Sequence, residues 1–113
     1  MQLVQTTITR AELREMGKKM MRGLVKAVVD VEQGLLVVDA PMHVDQELFL
    51  LEQGSLQEHL WGINLYPDQK GDEFIEFDSM INIRPADNNL TRGVDDPALR
   101  ERIKALVAQK VQQ

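Results

Sequence analysis

The sequence contains no cysteine, and only 4% of its 113 residues are aromatic. Without cysteine there is no disulfide, thiolate metal site or cysteine nucleophile, so packing and hydrogen bonds must stabilise the fold. No apolar run approaches the ~18 residues of a membrane span. The opening MQLVQTTITRAEL also lacks the basic and apolar regions of a signal peptide. We therefore expect a cytoplasmic protein that does not enter a membrane.

Length and composition predict one soluble domain covering residues 1–113. The chain is 43% hydrophobic and 27% charged, as is normal for a globular protein, and domains commonly span roughly 100–150 residues. Its net charge of −5 disfavours nucleic-acid binding, because Lys and Arg contacts to phosphate supply most of that affinity.

Positive charge is scarce in the middle of the chain. Residues 27–83 carry one Lys/Arg against twelve Asp/Glu, whereas residues 1–26 carry six against two and residues 84–113 six against four. Basic ends that neutralise an acidic middle explain this distribution without a partner. The alternative is a polarised surface, which predicts a homo-oligomer or a protein partner.

Capping patterns predict helices near both ends of the chain. Thr9 begins a capping box, and the apolar positions that follow recur at helical spacing, which indicates a helix over residues 10–21. Asp96 as N-cap and Pro97 at the first helical position predict a second helix over residues 97–110.

Residues 45–53 predict a short central helix, with Asp45 as its N-cap and Gly54 as its stop. A second capping box at Ser55 predicts a single turn before the next strand.

Runs of β-branched and alternating residues predict the strands. The runs at 24–31 and 35–40 flank a Gly-containing turn and indicate a central hairpin. Further strands are predicted at 2–6, 60–67 and 74–84. The fold class is therefore α+β: a mainly antiparallel sheet of four or five strands, N- and C-terminal helices and one short central helix, in the order β-α-β-β-α-β-β-α.

The predicted strand at 74–84 alternates clearly between an apolar and a polar face. If it pairs with the strand at 60–67, burial of both apolar faces requires opposed residues to have an even index sum. Asn64 then joins the polar face, whose other members are Glu76, Asp78, Asn82 and Arg84.

The chain resembles a small bacterial family known only as a domain of unknown function. The segments that carry the resemblance are Val28 to Asp30, His43 with Asp45, Glu52 with Gly54 and Ser55, Leu60 to Asn64, and Ser79 to Pro85 followed by Asn89 and Arg92. The resemblance spans nearly the whole chain, but it implies no activity, cofactor or catalytic residue.

His43 and Asp45 form the first candidate pair. An imidazole titrates near neutral pH, and a carboxylate two residues away can orient it for acid–base chemistry. The structural alternative is a helix entrance, with Asp45 capping backbone N–H groups and His43 making a surface hydrogen bond.

The polar strand face is the second candidate. Asn64, Glu76 and Arg84 are candidate ligand-binding residues, because a guanidinium binds phosphate or carboxylate and oxygen ligands suit hydrated Mg²⁺ or Mn²⁺. The alternative is a solvated sheet face with cross-strand ion pairs. We assign no metal site and no cofactor.

The sequence contains no phosphate-binding glycine loop, nucleophile elbow or zinc-binding His-Glu-x-x-His helix. A basic stripe at Arg10, Arg14, Lys18 and Arg22 suits either a solvated helix face or the steering of an acidic partner or nucleic acid.

Two functions follow from these patterns. The first is a non-catalytic binding or regulatory module. The alternative is a small hydrolase or phosphate-handling enzyme, with or without a divalent cation, whose candidate catalytic residues are His43, Asp45, Asp78, Asn82 and Arg84.

Overall fold

The computed structural model describes all residues from 1 to 113 and contains three α-helices. These are α1 (Arg10–Gly17), α2 (His43–Glu52) and α3 (Pro97–Lys110). Five single turns of 3₁₀ helix lie between the main elements, at Met21–Gly23, Gln57–His59, Gly71–Glu73, Met80–Asn82 and Pro85–Asp87.

Five strands form an antiparallel sheet at the centre of the fold, and two more form a separate parallel pair. The strands are β1 (Gln2–Leu3), β2 (Ile8–Thr9), β3 (Val25–Asp30), β4 (Leu35–Val38), β5 (Leu60–Leu65), β6 (Ile75–Glu76) and β7 (Val111–Gln112). The order in the sheet is β1-β4-β3-β5-β6. The parallel pair joins β2 to β7 and brings the two ends of the chain together.

Apolar side chains cover both faces of this sheet. The larger core includes residues of α1, α3 and the sheet, among them Leu13, Ile63 and Ile103. On the other face, Leu50 of α2 packs with Val28 and Leu60 of the sheet. The α+β prediction is confirmed, and the nearly continuous apolar runs of the central hairpin are explained by this two-sided burial.

Local chemistry explains why several predicted boundaries are confirmed. Thr9 and Glu12 form the reciprocal capping box, and Asp96 accepts a hydrogen bond from the backbone N–H of Ala98. The β5–β6 register pairs Asn64 with Glu76, so the even index sum is also confirmed.

The two shorter helices differ from their predicted limits. Helix α1 ends at Gly17 rather than at residue 21. The chain turns so tightly after Gly17 that a Cβ atom on this residue would lie 2.4 Å from the Gly23 carbonyl oxygen. Helix α2 begins at His43, and its N-cap is Met42. Asp45 is therefore inside the first turn, and its predicted role as N-cap is wrong.

The predicted strand at 74–84 is reduced to Ile75–Glu76. Beyond this point the side chain of Asn82 accepts from the Gly62 N–H at 2.8 Å and donates to the Gly62 carbonyl at 3.0 Å. Arg84 donates to the Leu60 carbonyl at 2.9 Å. Side chains thus replace backbone pairing along the edge of β5, and the regular polar face predicted from alternation does not form.

The predicted single turn before β5 forms at Gln57–His59, but Ser55 does not cap it. Its hydroxyl donates to the buried carboxylate of Asp30 at 2.6 Å instead of capping the next turn. The same carboxylate accepts from the backbone N–H groups of Glu32 and Gln33, which fixes the hairpin turn between β3 and β4. None of the helices has the length and apolar character needed to cross a membrane.

Candidate functional site

A cleft of about 290 Å³ lies between the start of α2, the paired residues Lys26 of β3 and Asn64 of β5, and the segment after β6. Some of the polar residues that line the cleft are candidate site residues from the sequence analysis, and the others are not. These polar residues are Arg22, Lys26, His43, Asn64, Asp78, Ser79 and Arg92.

His43 is fixed at the first position of α2 by a hydrogen bond from Nε2 to the Ile63 carbonyl oxygen, at 2.7 Å. Because a carbonyl only accepts, Nε2 carries a proton. Burial lowers the pKa of His43 below its ordinary value and outweighs the opposing effect of this hydrogen bond. The imidazole is therefore neutral at pH 7, and its Nδ1 is an acceptor without a hydrogen-bond partner in the protein.

Asn64, which also lines the cleft, carries a second acceptor atom without a protein partner. Its side chain is 4% exposed, and Nδ2 donates to Glu76 Oε1 at 2.9 Å and to the Asp78 carbonyl at 3.3 Å. Tyr66 also donates to Glu76 Oε1, at 3.0 Å, so Glu76 fixes the orientation of the amide. The remaining atom, Asn64 Oδ1, is buried without a partner, which is costly unless a ligand or water satisfies it.

Three cations line the same cleft, and one carboxylate accompanies them. Arg92 Nε donates to Asp78 Oδ1 at 2.6 Å, whereas Arg22 and Lys26 form no salt bridge. Arg22 is exposed and has a left-handed backbone conformation, with a φ of +63°, beside Gly23. With His43 neutral, the charges of the polar lining sum to about +2.

The candidate catalytic residues from the sequence divide between this cleft and other places. His43 and Asp78 line it, as does the candidate ligand residue Asn64. Asp45 is exposed on the other side of α2, beside Asp39 and Glu52.

Asn82 and Arg84 lie along the edge of β5 and not in the cleft. Arg84 is 9% exposed, stacks 4.1 Å from the centre of the Trp61 ring and pairs with Asp87. Glu76 reaches the cleft only through its hydrogen bond to Asn64.

Sequence reasoning did not assign Arg22, Lys26 and Arg92 to a site. The sequence does mark Lys26 as unusual, because it is the only charged residue in the apolar run of β3 before Asp30. In the structure it lies directly opposite Asn64. The positions of Arg22 and Arg92 depend on loop geometry that hydrophobic periodicity does not encode. No group of three or more histidine and acidic side chains is placed to hold a metal ion.

The lowered pKa of His43 predicts a pH-dependent loss of stability. The unfolded chain binds a proton near pH 6.5, but the folded protein resists that proton, so the unfolding free energy falls as the pH drops below about 6.5. One such group contributes a slope of at most about 1.4 kcal/mol per pH unit. Urea denaturation between about pH 7.5 and 5.5 measures it, above the range where most carboxylates titrate.

The His43→Gln variant is expected to lose this slope, whereas His59→Gln is expected to retain it. The charged groups that act on His43 are Lys26 and Arg92, which lower its pKa, and Asp78, which raises it. A wild-type slope that persists in His43→Gln would contradict the assignment.

The chain matches the family model described as "Protein of unknown function (DUF5674)" over residues 2–110. It belongs to the DUF5674 family. No curated protein and no solved structure matches it.

In this DUF5674 chain, two segments that carry the family resemblance, Leu60 to Asn64 and Ser79 to Pro85, pack against each other along β5. A Cβ atom on Gly62 would lie 2.6 Å from the side chain of Ser79, so only glycine permits this approach. Beside them, Arg84 stacks on Trp61. These contacts hold the segment after β6 against the sheet, and that segment forms one wall of the cleft.

Proposed function

We propose that this DUF5674 protein is a binding module whose cleft takes a small phosphorylated molecule that also carries a hydroxyl group. The observation that supports this most directly is the convergence of Arg22, Lys26 and Arg92 around two acceptor atoms without protein partners, on His43 and Asn64.

Charge favours a phosphate over a carboxylate as the anionic group. The polar lining carries about two net positive charges, and a phosphate monoester carries roughly −1.5 to −2 near pH 7. Two of the three cations are arginines, whose guanidinium groups bind phosphate oxygens through paired hydrogen bonds. The volume of about 290 Å³ is close to the lower end for small-molecule sites, which suits a small metabolite.

The two acceptors require a donor on the ligand. Neither His43 Nδ1 nor Asn64 Oδ1 can donate in the states described, so a fully ionised phosphate ester group, which has no O–H, leaves both unpaired. A hydroxyl group on the ligand supplies the donor that these acceptors lack. Phosphate and hydroxyl in one molecule therefore satisfy both halves of the cleft.

The competing function is a phosphate-handling hydrolase, and His43 is the observation that favours it. A neutral imidazole with an available Nδ1 is suited to take a proton from a water molecule that attacks a phosphate ester. Asp78 is engaged by Arg92 and provides no second base in that arrangement. The two functions differ in whether bound ester is cleaved.

Calorimetric titration with glycerol 3-phosphate tests the proposal. We expect saturable binding, weaker binding of inorganic phosphate and no binding of glycerol. Replacing two cleft cations in Arg22→Gln/Lys26→Gln is expected to reduce affinity at least about tenfold, because hydrogen bonds to charged groups contribute about 1.5–3 kcal/mol each.

The matched control is Lys18→Gln/Lys19→Gln, which removes the same charge from exposed positions outside the cleft. Equal losses in both double variants would show that only overall charge matters, and absence of binding in the wild type would contradict the proposal. Phosphate release from the ester, lost in His43→Gln, would establish the hydrolase instead.

We further propose that the protein acts in the cytoplasm and self-associates. The cysteine-free sequence suits a reducing compartment, and the basic ends complement the acidic middle of a second copy. A strictly monomeric mass by light scattering at low salt would contradict self-association.

A further inference from the structure

A second cavity, of about 360 Å³, lies on the opposite side of the molecule from α2, between α3 and the segment before β6. It shares no lining residue with the cleft described above. Five of its eleven lining residues are apolar and form one wall, namely Phe74, Ile75, Val107, Ala108 and Val111.

Arg10 supplies a fixed positive charge to this cavity. Its Nη1 donates to the carbonyl oxygens of Pro67 and Gln69 at 2.8 and 2.9 Å, and its Nε donates to Gln113 Oε1 at 3.0 Å. The guanidinium also stacks on Phe74, 4.2 Å from the ring centre. These contacts orient the group as a pre-formed binding site requires.

None of the contacts of Arg10 neutralises its charge. All three hydrogen-bond acceptors are uncharged, and no carboxylate lies within 4.0 Å of the guanidinium. Nη2 donates no hydrogen bond within the protein. Two donor positions of an oriented, uncompensated guanidinium therefore remain for an anion.

The neighbouring charges leave the cavity positive. Lys70 forms no salt bridge, and Lys104 contacts Asp72 at 3.6 Å and Glu101 at 3.0 Å. Asp72 is the one acidic side chain among the lining residues. An anionic group is therefore favoured at the Arg10 end, while the apolar wall favours a hydrocarbon body.

We propose that this cavity binds a small amphipathic carboxylate, with its carboxylate on Arg10 and its hydrocarbon part against Phe74 and Val107. The cavity volume is at the lower end for small-molecule sites, which suits an acid with one ring or a short chain. The inference is independent of the proposed function, because the two sites have no residue in common.

The test is an amide-resolved NMR titration with three probes. These are 3-phenylpropionate, the neutral 3-phenylpropanol and inorganic phosphate, which carries charge without a hydrocarbon body. We expect 3-phenylpropionate to shift the amide signals of Phe74, Val107 and Val111 saturably. The alcohol should bind at least tenfold more weakly, and phosphate should leave these amides unshifted.

Two exposed alanines of α3 provide a matched pair of variants. Ala108 lines the cavity and Ala105 does not, so Ala108→Phe is expected to abolish binding while Ala105→Phe preserves it. Arg10→Gln is expected to reduce the affinity of the acid to that of the alcohol. Because Arg10 also holds the loop at residues 67–69, the Ala108 pair tests the site without disturbing those contacts.

Equal affinity for acid and alcohol, or wild-type binding by Ala108→Phe, would overturn the inference. So would the absence of any saturable shift by 3-phenylpropionate. None of these results would affect the glycerol 3-phosphate titration, which concerns the other cleft.

Discussion

Replacing Arg84 by methionine is expected to lower the unfolding free energy by about 3 kcal/mol and to leave the anion affinity of the folded protein unchanged. Arg84 is 9% exposed and donates to the carbonyl oxygens of Leu60 and Ile81, at 2.9 and 3.1 Å. Methionine fills part of the space over Trp61 but leaves both carbonyls without their donor. Urea denaturation measures the loss.

The control for this prediction is Arg102→Met. Arg102 also donates to a backbone carbonyl, that of Val31 at 3.0 Å, but its side chain is 56% exposed. Water replaces the lost donor there, so we expect a loss within about 1 kcal/mol. If Arg84→Met remained as stable as Arg102→Met but lost anion binding, Arg84 would be a ligand-binding residue and our placement of it would be wrong.

The Asn82→Ala variant is expected to lose about 3 kcal/mol of stability as well. The side chain is fully buried, and it serves the N–H and carbonyl of Gly62 together with the Arg92 carbonyl, at 2.8, 3.0 and 2.9 Å. Alanine leaves the N–H and carbonyl of Gly62 unpaired at the edge of β5, whereas the Arg92 carbonyl keeps its hydrogen bond from the Ser79 N–H. Thermal and urea unfolding both report this loss.

The isosteric variant Asn82→Asp separates hydrogen bonding from packing. Aspartate has the same shape and accepts from the Gly62 N–H, but it has no donor for the Gly62 and Arg92 carbonyls. We expect it to be at least as unstable as Asn82→Ala. A stable Asn82→Asp protein would show that the volume of the side chain, rather than its donors, holds this edge.

Much of the fold could be predicted because it rests on local patterns. The capping box at Thr9 and the Asp96-Pro97 pair fix helix starts through contacts within three residues. The apolar runs of β3 and β4 reflect burial on both faces of the sheet. These features need no knowledge of distant parts of the chain.

The segment after Glu76 was mispredicted because its alternation has another cause. Ser79, Asn82 and Arg84 meet distant partners on β5, and each contact depends on where the β5 edge lies. In the sequence, a polar residue in an alternating run gives the same pattern whether its side chain faces solvent or hydrogen-bonds to the backbone of a neighbouring strand. Only the three-dimensional arrangement distinguishes the two.

The candidate site was predicted in part for a similar reason. His43, Asn64 and Asp78 were selected for their chemistry, and they line the cleft. Arg22 and Arg92 also line the cleft, although they are 70 residues apart in the sequence. Spacing along the chain carries no information about that meeting.

The most direct test of the account is an amide-resolved NMR titration of the wild-type protein with glycerol 3-phosphate. We predict saturable shifts that are largest at Lys26, His43, Asn64 and Asp78, together with a change in the ¹⁵N resonance of His43 Nδ1 as it accepts a hydrogen bond. Shifts confined to residues outside the cleft, or no saturable shift at all, would contradict the claim that this cleft is a binding site for a phosphorylated ligand.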